Sequence, residues 1–158
     1  LELGLQRLAA GDPGSSRRHL EWTIASCHLT TSNQVRMLRL LGERAHAARA
    51  WHEAAAHFRN AIDLDPADGT LHNRLGLVWL EARELDRAAA AFGDAVTHGC
   101  HLAHTNLGIC HQRRGDADQA LRAFARAVEL LPLDPIARQN HDAMQAFCRN
   151  SGLAPNPG

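Results

Sequence analysis

The densest chemistry in the chain lies in the run His98-Gly99-Cys100-His101-Leu102-Ala103-His104, with Cys110 and His111 just beyond it. Imidazole and thiolate are the usual protein ligands of zinc and related metals. His104 and His111 are seven residues apart, so on a helix they share a face. One reading is therefore a metal held by His98, Cys100, His101 and His104. The spacing matches no known zinc module, however, and the stronger reading makes these histidines packing and loop residues, with no metal and no cofactor. Catalysis finds no support either. There is no GxGxxG, P-loop, GxSxG or HExxH. Cys100 and His101 are neighbours, but a catalytic dyad also needs an oriented third group and an oxyanion site. The chain is expected not to be an enzyme.

The composition narrows the classes further. Among 158 residues, 17 basic side chains, all Arg, balance 17 acidic ones. A net charge of zero excludes bulk attraction to nucleic acid or to an anionic membrane as the main activity. No apolar run is long enough to cross a bilayer. The four cysteines, Cys27, Cys100, Cys110 and Cys148, form no CxxC pair and no disulfide framework. They read as reduced and mostly buried, which favours a cytoplasmic setting. The absence of Lys and Tyr, with Ala and Arg abundant, reads as a bias towards GC-rich codons.

The elements that would carry such residues emerge from an internal repeat. Gly42, Ala54, Phe58 and Ala61 recur as Gly76, Ala88, Phe92 and Ala95, and again as Gly108, Ala120, Phe124 and Ala127. Within each set the steps are 12, 4 and 3 residues; the sets are offset by 34 and then 32. Each unit reads as two helices. The first has apolar residues at helical spacing, such as Leu71, Leu75, Val78 and Trp79, and its Gly permits close approach of a neighbour. A short turn follows, clearest at Gly115-Asp116. The second helix sets Ala120, Phe124, Ala127 and Val128 on one stripe. It stops at Asp65-Pro66 or Leu131-Pro132; in the middle unit Cys100 takes the proline's place. One helix pair cannot bury both its faces, whereas stacked pairs can.

These residues resemble the tetratricopeptide repeat, a 34-residue helix–turn–helix unit. Leu41-Gly42, Leu75-Gly76 and Leu107-Gly108 match its Leu-Gly, and the Ala-xxx-Phe-xx-Ala core follows each time. The resemblance implies an all-α fold, a right-handed superhelical solenoid of helix–turn–helix repeats. Repeats are expected at 35–68, 69–100 (two residues short) and 101–134. Residues 1–34 read as a degraded partial repeat, with Gly11-Asp12 at its turn, Leu20 in the Phe position, and Trp22 and Ile24 packing. Residues 135–149 read as a cap helix with Ala137, Met144 and Phe147 covering the last repeat, and 150–158 as a linker. The start at Leu1 reads as a trimmed piece of a longer protein. On the repeat's frame, His72 and His104 stand where Trp or Leu is usual. His111 stands where Tyr is usual and where Trp79 stands one unit earlier.

The resemblance also implies a concave groove lined by the first helices. It places there Arg36, Arg39, Glu43 and His46; then Asn73, Arg74, Leu77, Leu80 and Glu81; then Thr105, Asn106, Ile109, Gln112 and Arg113; and Gln139 and Asn140 on the cap helix. Arg39, Asn73, Arg74, Asn106 and Arg113 are the expected polar contacts to a partner, and Leu77 and Ile109 the apolar ones. Arg offers paired donors to carboxylates, and amide side chains can pair with both groups of a peptide backbone. A terminal-carboxylate clamp, known in chaperone-binding members, fits loosely: Glu43 stands where it wants Asn and Leu102 where it wants a base. An asparagine ladder fits at Asn106 and Asn140, but Arg74 interrupts it and Asn73 is one position off.

The implied function is a non-catalytic protein–protein interaction scaffold or adaptor that takes an extended peptide or a helix of a partner, an acidic segment among the candidates. Neither nucleic acid nor membrane insertion is expected; self-association stays open. Two other readings are kept: the interaction arm of a larger enzyme, such as a transferase, and a metal-binding assembly or redox-associated subunit.

Overall fold

The computed structural model describes residues 30–151, and within them every regular element is a helix. The chain divides into two compact units, Leu1–Pro66 and Ala67–Gly158. The expected partial repeat, with Trp22, Ile24 and Cys27, lies outside the described residues, as does the tail beyond Ser151.

The first unit contributes α1 (Thr31–Ala47) and α2 (Trp51–Leu64). Met37, Leu38, Leu41 and Ala45 of α1 are buried, as are Ala54, Ala55, Phe58 and Ala61 of α2. Gly42 explains how closely the two helices approach: a Cβ there would stand 2.9 Å from the Phe58 ring.

The second unit runs α3 (Gly69–Glu81), α4 (Leu85–Thr97), α5 (Ala103–Arg114), α6 (Ala117–Leu130) and α7 (Pro135–Asn150). The glycine–phenylalanine seat recurs twice. A Cβ at Gly76 would meet Phe92 at 2.5 Å, and one at Gly108 would meet Phe124 at 2.5 Å. Both rings are fully buried, each contributing about 2–3 kcal/mol by removal from water. Helix α5 packs back on α4, where the Cys110 thiol donates to the Leu85 carbonyl at 3.1 Å. Arg114 joins the same two helices across their ends, 3.1 Å from Asp86 and 3.2 Å from Asp116.

The turns inside the three helix pairs share one geometry. Arg49, Arg83 and Gly115 all adopt positive φ, at 59°, 64° and 84°. The next residue in each case donates back to a carbonyl five residues earlier: Ala50 to Ala45, Glu84 to Trp79 and Asp116 to His111, all at 2.9 Å. That 6→1 bond satisfies one of the last carbonyls of the first helix. Only the third turn has the glycine that such a φ favours.

Between pairs the endings differ. The middle one closes on Gly99, at φ 78°, with Cys100 donating to the Ala95 carbonyl; a left-handed glycine, not a proline, stops α4. Asp68 caps α3 by accepting from the Thr70 backbone at 2.8 Å, and Asp134 caps α7 by accepting from Ile136 at 2.9 Å. Helix α7 lies on α6, with Met144 and Cys148 in a buried cluster with Ala120, Leu121 and Phe124. Phe147, expected to cover the last repeat, is 54% exposed, and the neighbouring Cys148 takes the buried place. Ala137, Met144 and Cys148 follow the i, i+7, i+11 line of one helical stripe, and Phe147 stands a full 100° off Cys148.

Candidate functional site

In the first unit, Arg39 lies on α1 with its Nε 3.9 Å from the Glu43 carboxylate one turn on. Glu43 therefore balances the arginine's charge where a carboxylate clamp would need a neutral donor. The other six expected contacts fall in the second unit, on α3 and α5.

Asn73 and Asn106, 33 residues apart in sequence, meet directly: Asn106 Nδ2 donates to Asn73 Oδ1 at 2.9 Å, in a half-buried position. The bond uses one donor and one acceptor. It leaves the Asn73 amide hydrogens and the Asn106 carbonyl available, a donor and an acceptor side by side. The one-position offset seen in the sequence is what brings the two amides face to face. Arg113, one helical stretch further along α5, donates from Nη1 to the Leu80 carbonyl at 3.4 Å. That carbonyl lies in the last turn of α3, so Arg113 doubles as a cap between helices. Arg74 is exposed and Leu77 half-buried. Ile109 is partly buried against the Phe124–Met144 cluster, so one side of it belongs to the core.

Two groove expectations are corrected. Leu80 and Thr105 are 5% and 6% exposed; both turn into the contact between neighbouring helices and present nothing to a ligand. The Thr105 hydroxyl, among the described residues, has no hydrogen-bond partner. Sequence reasoning passed over Ile136 and placed Phe147 in the core. Ile136 is 59% exposed and Phe147 more than half exposed. With Asn140 and Ala143 they follow the i, i+4, i+7, i+11 spacing of a single stripe on α7. That spacing is visible in the sequence, but of the four Phe147 was read as core and Asn140 as a groove residue.

The histidine run is dispersed rather than gathered. His98 donates from Nδ1 to the Asp94 carbonyl at 2.8 Å and stacks on His72, ring centroids 4.8 Å apart and planes nearly parallel. His72 is buried, and its Nδ1 lies 4.0 Å from the Asp94 carboxylate. His104 lines an open cleft between α5 and α6. Burial holds its imidazole below the ordinary histidine value, with the Arg126 and His101 charges adding to the effect. Among the described residues, no group of three or more His, Cys, Asp or Glu side chains is arranged to hold a metal ion. Stacking and a backbone hydrogen bond commit His98 to α3 and to its own helix rather than to Cys100, His101 and His104. The described cysteines, Cys100, Cys110 and Cys148, are all free, and burial pushes the Cys110 thiol up. No described helix is long and apolar enough to cross a membrane.

The geometry defines an all-α protein of stacked helix–turn–helix repeats that presents an inter-helix row of amide and guanidinium groups. Family models described as tetratricopeptide repeat match residues 39–100 and 101–134. The chain belongs to the tetratricopeptide repeat family. Over 99 residues, 57% of its length, it is 26% identical to the STIP1 homolog of Dictyostelium discoideum, and the match spans only 18% of that protein. Among solved structures it is similar to MamA, with a TM-score of 0.80 at 19% identity, covering 97% of this chain and 86% of that one. The N-terminal domain of stress-induced protein-1 from C. elegans gives 0.68 at 21% identity, covering 74% and 98%. The first repeat domain of Spaghetti (RPAP3) bound to the HSP90 peptide SRMEEVD gives 0.68 at 18%, covering 77% and 98%. At these identities the likeness is one of fold.

Proposed function

We propose that the chain is a non-catalytic interaction scaffold that takes an extended segment of a partner protein along α3 and α5, the first helices of the repeats at 69–134. The observation that carries this reading is the Asn73–Asn106 pair. The mutual hydrogen bond fixes both amides at 2.9 Å and leaves a free donor beside a free acceptor, the pattern one peptide unit of an extended strand requires. Leu77 and Ile109 offer apolar contact beside it, and Arg74 and Arg113 bring positive charge to the same row. An acidic segment suits those arginines; the peptide held by the Spaghetti domain contains two Glu and one Asp. The free, buried thiols of Cys110 and Cys148 support a cytoplasmic setting as part of the same proposal.

The test is affinity capture from native lysate with two baits, the wild-type chain and a folded Arg74→Ala, Asn106→Ala variant. A partner retained by the first and lost by the second supports the reading. A partner retained equally by both overturns the residue assignment and moves the interface to another face.

A further inference from the structure

The units 69–100 and 101–134 superimpose in sequence with a 32-residue offset, which makes one an internal control for the other. In the earlier unit the outer cleft between α3 and α4 is filled. Trp79 is 3% exposed, and the Arg87 guanidinium lies 5.0 Å above its ring. Thirty-two residues later His111 replaces Trp79 and Gln119 replaces Arg87. Both bulky fillers are gone, but the apolar floor is kept: Leu107 and Ala123 repeat Leu75 and Ala91. The result is an open cleft of about 760 Å³ between α5 and α6.

The charges on the α6 side of the cleft have also been rearranged. Arg122 and Arg126 stand where the earlier unit has Ala90 and Asp94. Arg126 is held by Glu129 at 2.7 Å. Asp116, at the far end, is held by Arg114 at 3.2 Å, with His111 Nδ1 at 3.8 Å. Asp118 sits in the first turn of α6, where the helix N-terminus offsets an anion. Arg122 lines the cleft with no ion pair or hydrogen bond among the described residues.

We propose that this cleft is a second binding site, one that takes an aromatic side chain of a partner polypeptide while an adjacent carboxylate of the same polypeptide reaches Arg122. The ring occupies the space that Trp79 fills one repeat earlier, over Leu107 and Ala123 and beside His111. The carboxylate supplies the partner that Arg122 lacks, in the paired-donor geometry guanidinium favours. The site is separate from the amide row. At 100° per residue, His104, Leu107 and His111 lie on the side of α5 opposite Asn106, Ile109 and Arg113. It therefore stands whether or not the amide row binds a peptide.

The test uses the full chain, labelled with nitrogen-15, and two capped dipeptides, acetyl-Trp-Asp-amide and acetyl-Trp-Arg-amide, followed by amide shifts in NMR. Saturable shifts centred on residues 104–123, with the acidic dipeptide about threefold tighter, are expected from one exposed ion pair. His111→Trp fills the cleft from within and is expected to weaken both dipeptides by about tenfold or more, while raising the melting temperature. Should that variant lose its helical circular dichroism, Arg122→Glu decides instead, and it is expected to reverse the preference to the basic dipeptide. Shifts centred on Asn73 and Asn106, binding unchanged in a folded His111→Trp, a preference unmoved by Arg122→Glu, or no saturable shift up to the solubility limit would each overturn the proposal.

Discussion

Residues 69–100 and 101–134 build the same frame and spend it differently. Both seat a phenylalanine on a glycine, both turn through a left-handed residue, and both put a histidine early in the first helix. In the earlier unit that histidine, His72, is buried, stacked on His98 and 4.0 Å from the Asp94 carboxylate. In the later one, His104 borders an open cleft and faces Arg126, the residue equivalent to Asp94. The contrast separates two kinds of position. Those that set the distance between helices admit Gly and Phe and little else. Those on the outer cleft tolerate Trp or His, acid or base.

The largest effect expected tests the shared frame. Phe92→Ala and Phe124→Ala should each cost about 3–5 kcal/mol, read by urea unfolding. A Phe124→Ala cost below about 1 kcal/mol would show that the later unit is not held in the same way. Next come the reciprocal exchanges in the outer cleft. Trp79→His should cost about 2–3 kcal/mol by opening the filled cleft and stranding Arg87, and His111→Trp should gain about 1 kcal/mol by filling the open one. Equal signs would break the comparison. Smaller again are the turns. Gly115→Ala, at φ 84°, should lose about 1 kcal/mol, whereas Arg83→Gly, at φ 64°, should gain about 0.5 kcal/mol by relieving a strained left-handed residue. Thermal melts of the pair check the opposite signs.

The smallest effect is electrostatic. The fold lowers the His104 pKa from its usual 6.5, first by burial and then through Arg126 and His101. The neutral imidazole is thus the favoured form in the fold. Its contribution is fully present above pH 6.5 and is lost as the pH falls from there through the lower folded value. Arg126→Asp, which copies the earlier unit, should raise that pKa, as a proton-NMR titration of the His104 ring would show. An unchanged titration would mean that Arg126 has no part in the shift, leaving burial and His101.

The frame was legible because its chemistry is exclusive. An added Cβ at Gly76 or Gly108 would come within 2.5 Å of a ring, so glycine there is a steric necessity and its spacing carries the fold. The turns were legible at Gly115 but not at Arg49 or Arg83, since arginine gives no hint of positive φ. On α7 the pattern allowed either Phe147 or Cys148 to face α6, and size argued for the wrong one; which of two adjacent residues is buried depends on helix rotation, set by packing partners rather than by hydrophobicity. Asn73 and Asn106 appeared as candidates with an offset that looked like a flaw. Only the three-dimensional step between neighbouring helices shows that this offset lets them bond. The stacking of His98 on His72 was hidden for a related reason: a run of histidines in sequence says nothing about which rings meet across helices.

The glycine seats carry a consequence for motion. Phe58, Phe92 and Phe124 rest their rings directly over backbone, with no Cβ between. A half-turn of such a ring about its own axis sweeps its edge through the space of the facing helix, so it happens only while the two helices part for an instant. The three aromatic spin systems are therefore local clocks, one per helix pair, whose flip rates report how often each pair breathes.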